Sequence, residues 1–195
     1  MNSEKDTICA VATSNNSIAG ISIIRISGEN SLNIAKKMVD KFSKLKEITP
    51  RFMYLANIDL GKLQDKCLAV YFKAPFSYTG EDVVELHLHG GIKLTQLVLE
   101  KCISLGARIA TRGEFSKRAF LNGKSSLESL EGVIDIINAE SEAELSAGYN
   151  LASGKLSKEL YLIQNELTDI LAEIDVSLDY PEEDIEYSSK DTIKV

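Results

Sequence analysis

The 195 residues, 44% hydrophobic and 26% charged, suffice for one large domain or two small ones with a real core, without disulfide or metal staples. No stretch approaches the roughly 20 apolar residues of a membrane helix, and the start MNSEKDTICAVAT has no apolar core followed by a small-residue cleavage site, so a cytoplasmic protein without a membrane partner is expected. The net charge of −7 divides unevenly, +5 over residues 1–122 and −12 over residues 123–195, which suggests two structural units, the first able to attract anions and the second with an acidic solvent face.

In chain order, Thr7 to Ala12 and Ile21 to Ile26 are short apolar runs separated by a Ser/Asn-rich turn and read as two strands. Leu32, Ile34, Ala35, Met38, Val39 and Phe42 then recur at helical spacing, with Ser31 placed to cap the start. After Pro50, Phe52 to Leu60 and Cys67 to Phe72 are strand-like, with Gly61 near the turn between them. Val83 to His89 is a further strand, Ile92 to Leu105 a helix ended by Gly106, and Ala107 to Ala110 a short strand. Strands and helices interleave irregularly, so a mixed α/β (α+β) sandwich fits better than a regular βαβ series. Cys9, Cys67 and Cys102 are odd in number and set in apolar runs, which argues for packed, reduced thiols and against a disulfide framework or a CxxC site.

From Ser126 the pattern turns helical throughout. Leu127, Leu130, Ile134 and Ile137 lie on one face, and a stripe from Leu145 to Leu178 continues at helical spacing until Pro181, with Glu and Asp filling much of the other face. Two long helices cannot hide such stripes alone, so they must pack on further helices, on the first unit or on another chain. The stretch Gly148 to Lys155 is no phosphate loop: five residues instead of four separate its glycines, and Leu156 stands where a metal-binding hydroxyl is required. Its helical periodicity also reads as unbroken.

Three segments carry candidate chemistry. In YTGEDVVELHLHGG, residues 78 to 91, period-two alternation puts Glu85, His87 and His89 on one strand face and Val84, Leu86 and Leu88 on the other, running into a Gly90-Gly91 helix start whose N–H groups can hold an anion or a polar ligand edge. The same alternation fits the wet face of any half-exposed strand, and zinc bound by Glu85, His87 and His89 is a third reading. In GEFSKRAFLNGK, residues 113 to 124, Phe115, Ala119 and Phe120 can pack inward on a short helix and leave Lys117, Arg118 and Lys124 outward, as on any surface amphipathic helix. In GISIIRISG, Arg25 shares a strand face with Ile21, Ile23 and Ser27, where a charge is costly unless a carboxylate, a carbonyl or an anionic ligand answers it.

Together DTICAVAT (6 to 13), GISIIRISG (20 to 28), YTGEDVVELHLHGG (78 to 91), GEFSKRAFLNGK (113 to 124) and LDYPEEDIEY (178 to 187) resemble, in order and spacing, the MnmE/TrmE family of tRNA modification GTPases. The resemblance covers nearly the whole chain, and its motifs are specific jointly. It implies an N-terminal α/β domain similar to tetrahydrofolate-binding domains over residues 1–122, for folate binding and dimerisation, and the first part of a helical domain over residues 123–195. The GTPase domain, with its GTP, magnesium and potassium, and the second half of the helical domain are expected outside these residues. The family, as a homodimer acting on tRNA with the flavoprotein MnmG/GidA, modifies C5 of the wobble uridine with a one-carbon unit from 5-formyl-tetrahydrofolate or 5,10-methylene-tetrahydrofolate.

By motif, the resemblance carries folate contacts onto Arg25, Glu85 and Lys124. A carboxylate such as Glu85 can accept paired hydrogen bonds from a pterin's amino and ring N–H groups, while Arg25 and Lys124 offer positive charge to glutamyl carboxylates or a formyl oxygen. The turn Ser14 to Ala19 departs from the family's Pro- and Gly-rich pattern and offers fewer positive-φ positions. Two other classes stay open: a protein-interaction and dimerisation module whose polar strand face is inert, and a small metal hydrolase using His87 and His89.

Overall fold

The computed structural model describes residues 6–13, 19–61 and 63–179, so the turn 14–18 and the segment 180–187 of the last matching motif lie outside the described residues. The chain divides into two compact units, Met1–Ser125 and Ser126–Val195.

The first unit is built on one six-stranded mixed sheet. Its strands are β1 (Ile8–Val11), β2 (Ile21–Ser27), β3 (Met53–Asp59), β4 (Gln64–Phe72), β5 (Val83–His89) and β6 (Arg108–Ile109), in the order β3-β4-β5-β2-β1-β6. All neighbours pair antiparallel except β1 with β6. The helices are α1 (Ser31–Met38), α2 (Asp40–Lys44), α3 (Ile92–Ser104) and α4 (Glu114–Leu121). Alternation along the strands sends Ile24, Ile26, Ala69, Val84, Leu86 and Leu88 to one face, where they join Ile34, Ala35 and Met38 of α1, Phe42 of α2, and Val98 and Cys102 of α3 in one core. Cys9, Cys67 and Cys102 are all buried free thiols. Burial pushes the Cys67 thiol up to about 12.

Two local expectations change. The helix expected over Leu32 to Phe42 is split at Val39, which is extended and bridges Ile58 on the edge strand β3. An open edge is thereby partly covered, which a continuous helix would not do. Ser31 is not the cap of α1: it is the first helical residue, is fully buried, and donates its hydroxyl to the Asp82 carbonyl at 2.9 Å. It ties the helix to the loop between β4 and β5.

The second unit is all helical: α5 (Leu127–Asn138), α6 (Glu142–Ala152) and α7 (Lys155–Asp179). Three helices thus replace the two long ones expected. The periodicity expected to run unbroken through Gly148 to Lys155 is interrupted at Ser153 and Gly154, the latter at φ 68°, a conformation that costs a residue with a Cβ. Serine caps mark two helix starts: Ser126 Oγ accepts from Ser129 N at 3.2 Å and Ser141 Oγ from Glu144 N at 3.3 Å. Helices α5 and α6 meet at glycines, and Ser129 Oγ donates to the Ala152 carbonyl across the crossing at 2.6 Å.

Candidate functional site

The sheet face opposite α1, α2 and α3 carries the polar strand residues. Register places Arg25 directly opposite Glu85, and Ile23 opposite His87. The Arg25 charge is answered by that carboxylate: Nε donates to Glu85 Oε1 at 2.8 Å and Nη2 lies 2.7 Å from the same oxygen, with side-chain exposures of 26% and 15%. The other oxygen, Oε2, faces His87 Nε2 at 3.5 Å, and that buried nitrogen makes no hydrogen bond among the described residues. Glu85 therefore uses one oxygen for Arg25 and leaves the second beside an unsatisfied imidazole nitrogen, a place where a ligand N–H or carbonyl would find partners. His89 stands apart from this pair, with Nδ1 2.9 Å from Asp65. Among the described residues no three His, Cys, Asp or Glu side chains converge as a metal shell would require.

An aromatic wall stands over the guanidinium. Its carbon lies 5.1 Å from the Tyr78 ring centroid and 5.7 Å from that of Phe115, cation–π distances, and Tyr78 Oη is 3.0 Å from Ser116 Oγ. The loop bearing Tyr78 is fastened from below. Ser27 Oγ lies 2.7 Å from Thr79 Oγ1 and donates to Glu81 Oε2 at 2.7 Å, while Asn122 Nδ2 donates to the Thr79 carbonyl at 2.7 Å. Lys124 enters through Gly80: a Cβ there would lie 3.0 Å from Lys124 Cγ and from Asn122 Cβ. Arg25 and Glu85 are thus brought into contact, and Lys124 packs on the loop whose Tyr78 covers them.

Helix α4 is oriented differently from the sequence expectation. Arg118, expected to point outward, is 8% exposed, whereas Phe120, expected inward, is 47% exposed. The reason is an ion network: Arg118 pairs with Asp6 at 2.6 Å, with Glu81 at 3.2 Å and with Glu114 at 3.2 Å, while Arg108 pairs with Asp6 and Glu114, each at 2.5 Å. Hydrogen bonds from Arg108 lead in holding the Asp6 and Glu114 carboxyls below their usual range, with Arg118 adding to the effect. Through Glu81 and α4 this network holds both walls of the site. Apolar spacing alone hides it, because its five members come from four separate stretches of chain. The Gly90-Gly91 turn also serves a structural end: a Cβ on Gly90 would sit 2.1 Å from the Ala19 carbonyl oxygen, so this glycine permits close passage of the backbone entering β2.

The fold and site together define a mixed-sheet domain with a polar cluster on its outward face, followed by a helical unit. A family model described as GTP-binding protein TrmE N-terminus matches residues 7–124, and one described as MnmE helical domain matches residues 127–195. The chain belongs to the MnmE/TrmE family. It is 42% identical over 192 residues to a tRNA modification GTPase MnmE of Clostridioides difficile, covering 97% of this chain and 42% of the relative. It is 47% identical over 181 residues to the protein of that name from Helicobacter acinonychis, covering 92% and 39%. A Helicobacter pylori relative of the same name is 46% identical over 92% of this chain and 38% of its own length. The chain spans about two fifths of the length of these relatives.

Proposed function

We propose that residues 1–122 bind a reduced folate, 5-formyl-tetrahydrofolate or 5,10-methylene-tetrahydrofolate, and dimerise, and that residues 123–195 form the first part of a helical domain, within a GTPase that modifies the wobble uridine of tRNA. The relatives' name, tRNA modification GTPase, supports the activity. The single observation that carries the folate reading is the Arg25–Glu85 pair on the outward sheet face beneath Tyr78 and Phe115, with Lys124 packed against the Tyr78 loop at Gly80. Glu85 Oε2 offers an acceptor for pterin N–H groups, the aromatic wall a stacking surface, and Lys124 a cation for the glutamyl carboxylates. The folate supplies the one-carbon unit when bound; this chain's residues bind and orient it. GTP, magnesium and potassium belong in this reading to the family's GTPase domain, and tRNA and the flavoprotein MnmG/GidA are the partners, in the cytoplasm.

A second reading, an interaction and dimerisation module without ligand chemistry, is favoured by one observation: Arg25 and Glu85 already satisfy each other. Titration calorimetry with 5-formyl-tetrahydrofolate separates the two. Binding heat that falls at least tenfold in affinity for Glu85→Gln, which keeps shape and loses charge, supports the folate site. Equal affinity in wild type and Glu85→Gln, or no heat in either, overturns it.

A further inference from the structure

Away from that pocket, residues 36 to 46, KKMVDKFSKLK, hold five lysines and one acid. They run over the end of α1, the break at Val39 and all of α2, beside the edge strand β3. Helix C-termini favour basic residues in their last turns, which accounts for Lys36, Lys37, Lys41 and Lys44. It does not account for Lys46, beyond the end of α2, nor for the scarcity of partners. Among the described residues, only Lys44 has a carboxylate within ion-pair distance, Asp40 at 3.9 Å.

A cleft of about 360 Å³ opens in the middle of this ridge, with Lys36, Lys37 and Lys44 in its wall. The two carboxylates of the wall are already engaged. Asp40 accepts from Asn57 N at 2.8 Å and Asn57 Nδ2 at 3.1 Å, and Asp59 accepts from Gly61 N at 2.8 Å. The ridge therefore presents five lysines against the carboxylates of Asp40 and Asp59, an excess of positive charge in which, among the described residues, Lys36, Lys37, Lys41 and Lys46 have no ion-pair partner, on the positive part of a chain whose other part carries −12. Like-charge repulsion disfavours a polyanion over residues 123–195 and attraction favours it over residues 1–122.

We infer that the Lys36–Lys46 ridge is an RNA-binding surface that takes the sugar-phosphate backbone of the tRNA substrate, by charge and without base readout. This rests on the reading that the protein acts on tRNA. Lysines on mobile stems suit phosphates, because a point charge needs no fixed base geometry. The ridge thus differs from the folate pocket in both ligand and chemistry.

The test is fluorescence anisotropy of this chain with unmodified tRNA across 50 to 200 mM salt, in wild type and in the triple variant Lys37→Gln, Lys41→Gln, Lys46→Gln. None of the three lysines has an ion-pair partner among the described residues, and a thermal melt checks that the fold is kept. A control triple, Lys93→Gln, Lys155→Gln, Lys158→Gln, makes the same charge change elsewhere. Three lost phosphate contacts lower the slope of log affinity against log salt by about 2 to 3 and weaken binding about tenfold or more at low salt. That result in the ridge variant alone supports the inference. Equal losses in both triples, no loss in either, absence of tRNA binding by wild type, or preference for anionic vesicles over tRNA overturns it. Folate calorimetry on the same samples reports separately on the pocket.

Discussion

Arg25 shows how one residue changes meaning with its neighbours. In sequence it is a charge inside GISIIRISG; in the fold it lies opposite Glu85 and under two rings. The need for a partner was legible from strand parity, because a half-buried guanidinium needs a counter-charge. The buried Arg118 was not, since its partners Asp6, Glu81 and Glu114 have no common spacing. That network yields a pH prediction. Arg108 and Arg118 depress the carboxyls of Asp6 and Glu114, so both release protons more easily folded than unfolded. Their stabilisation is complete above the unfolded carboxyl range, about 4, and is lost as pH falls through the lower folded values. Thermal melts from pH 7 to pH 3 should hold level to about pH 5 and then fall. A Glu114→Gln variant should melt lower at pH 7 and lose less on acidification; an equal acid slope in the two proteins would refute the linkage.

At the scale of elements, β5 from Val83 to His89 was legible to the residue because alternation and its bounding turns agree. The breaks within the helical stretches were harder to read. Val39 fits the apolar stripe of a continuous helix and is nonetheless diverted to bridge Ile58, a tertiary choice that local spacing does not encode. The break at Gly154 carried a local sign in the glycine itself, and the start of α6 carried another in Ser141 followed three residues later by Glu144. The α5–α6 crossing depends on two more glycines. A Cβ on Gly132 would fall 2.3 Å from Ala152 N and 2.7 Å from the Gly148 carbonyl oxygen, both rigid backbone atoms. Gly132→Ala therefore forces the helices apart and should destabilise the helical unit by roughly 2 to 3 kcal/mol despite alanine's better helix propensity. Urea unfolding followed by helical circular dichroism measures this. A gain in stability would mean that the helices do not meet at Gly132.

Over the whole molecule, the charge contrast suggests two units divided near residue 122, and the chain forms the compact units Met1–Ser125 and Ser126–Val195. What covers each unit's exposed apolar surface was not legible, because period shows that a face is apolar and not what it meets. The first unit leaves Ile21, Met53, Leu55 and Leu68 exposed on the same sheet face as Arg25 and Glu85. Several large exposed side chains on β3, β4 and β2 of one sheet face exceed the scattered apolar residues of an ordinary surface, and a second copy of the domain is the occupant expected under the proposed function. Leu55, 64% exposed, contributes little to the core of its own chain. Leu55→Asp should accordingly leave the fold of its own chain intact by circular dichroism while placing a charge where two sheet faces would meet, which costs several kcal/mol if buried without a partner. Sedimentation velocity over a range of concentrations then separates the cases: wild type is expected to sediment as a dimer and Leu55→Asp as a monomer. A dimer that survives the substitution would place the interface elsewhere, and a monomeric wild type would leave this face without the role proposed for it.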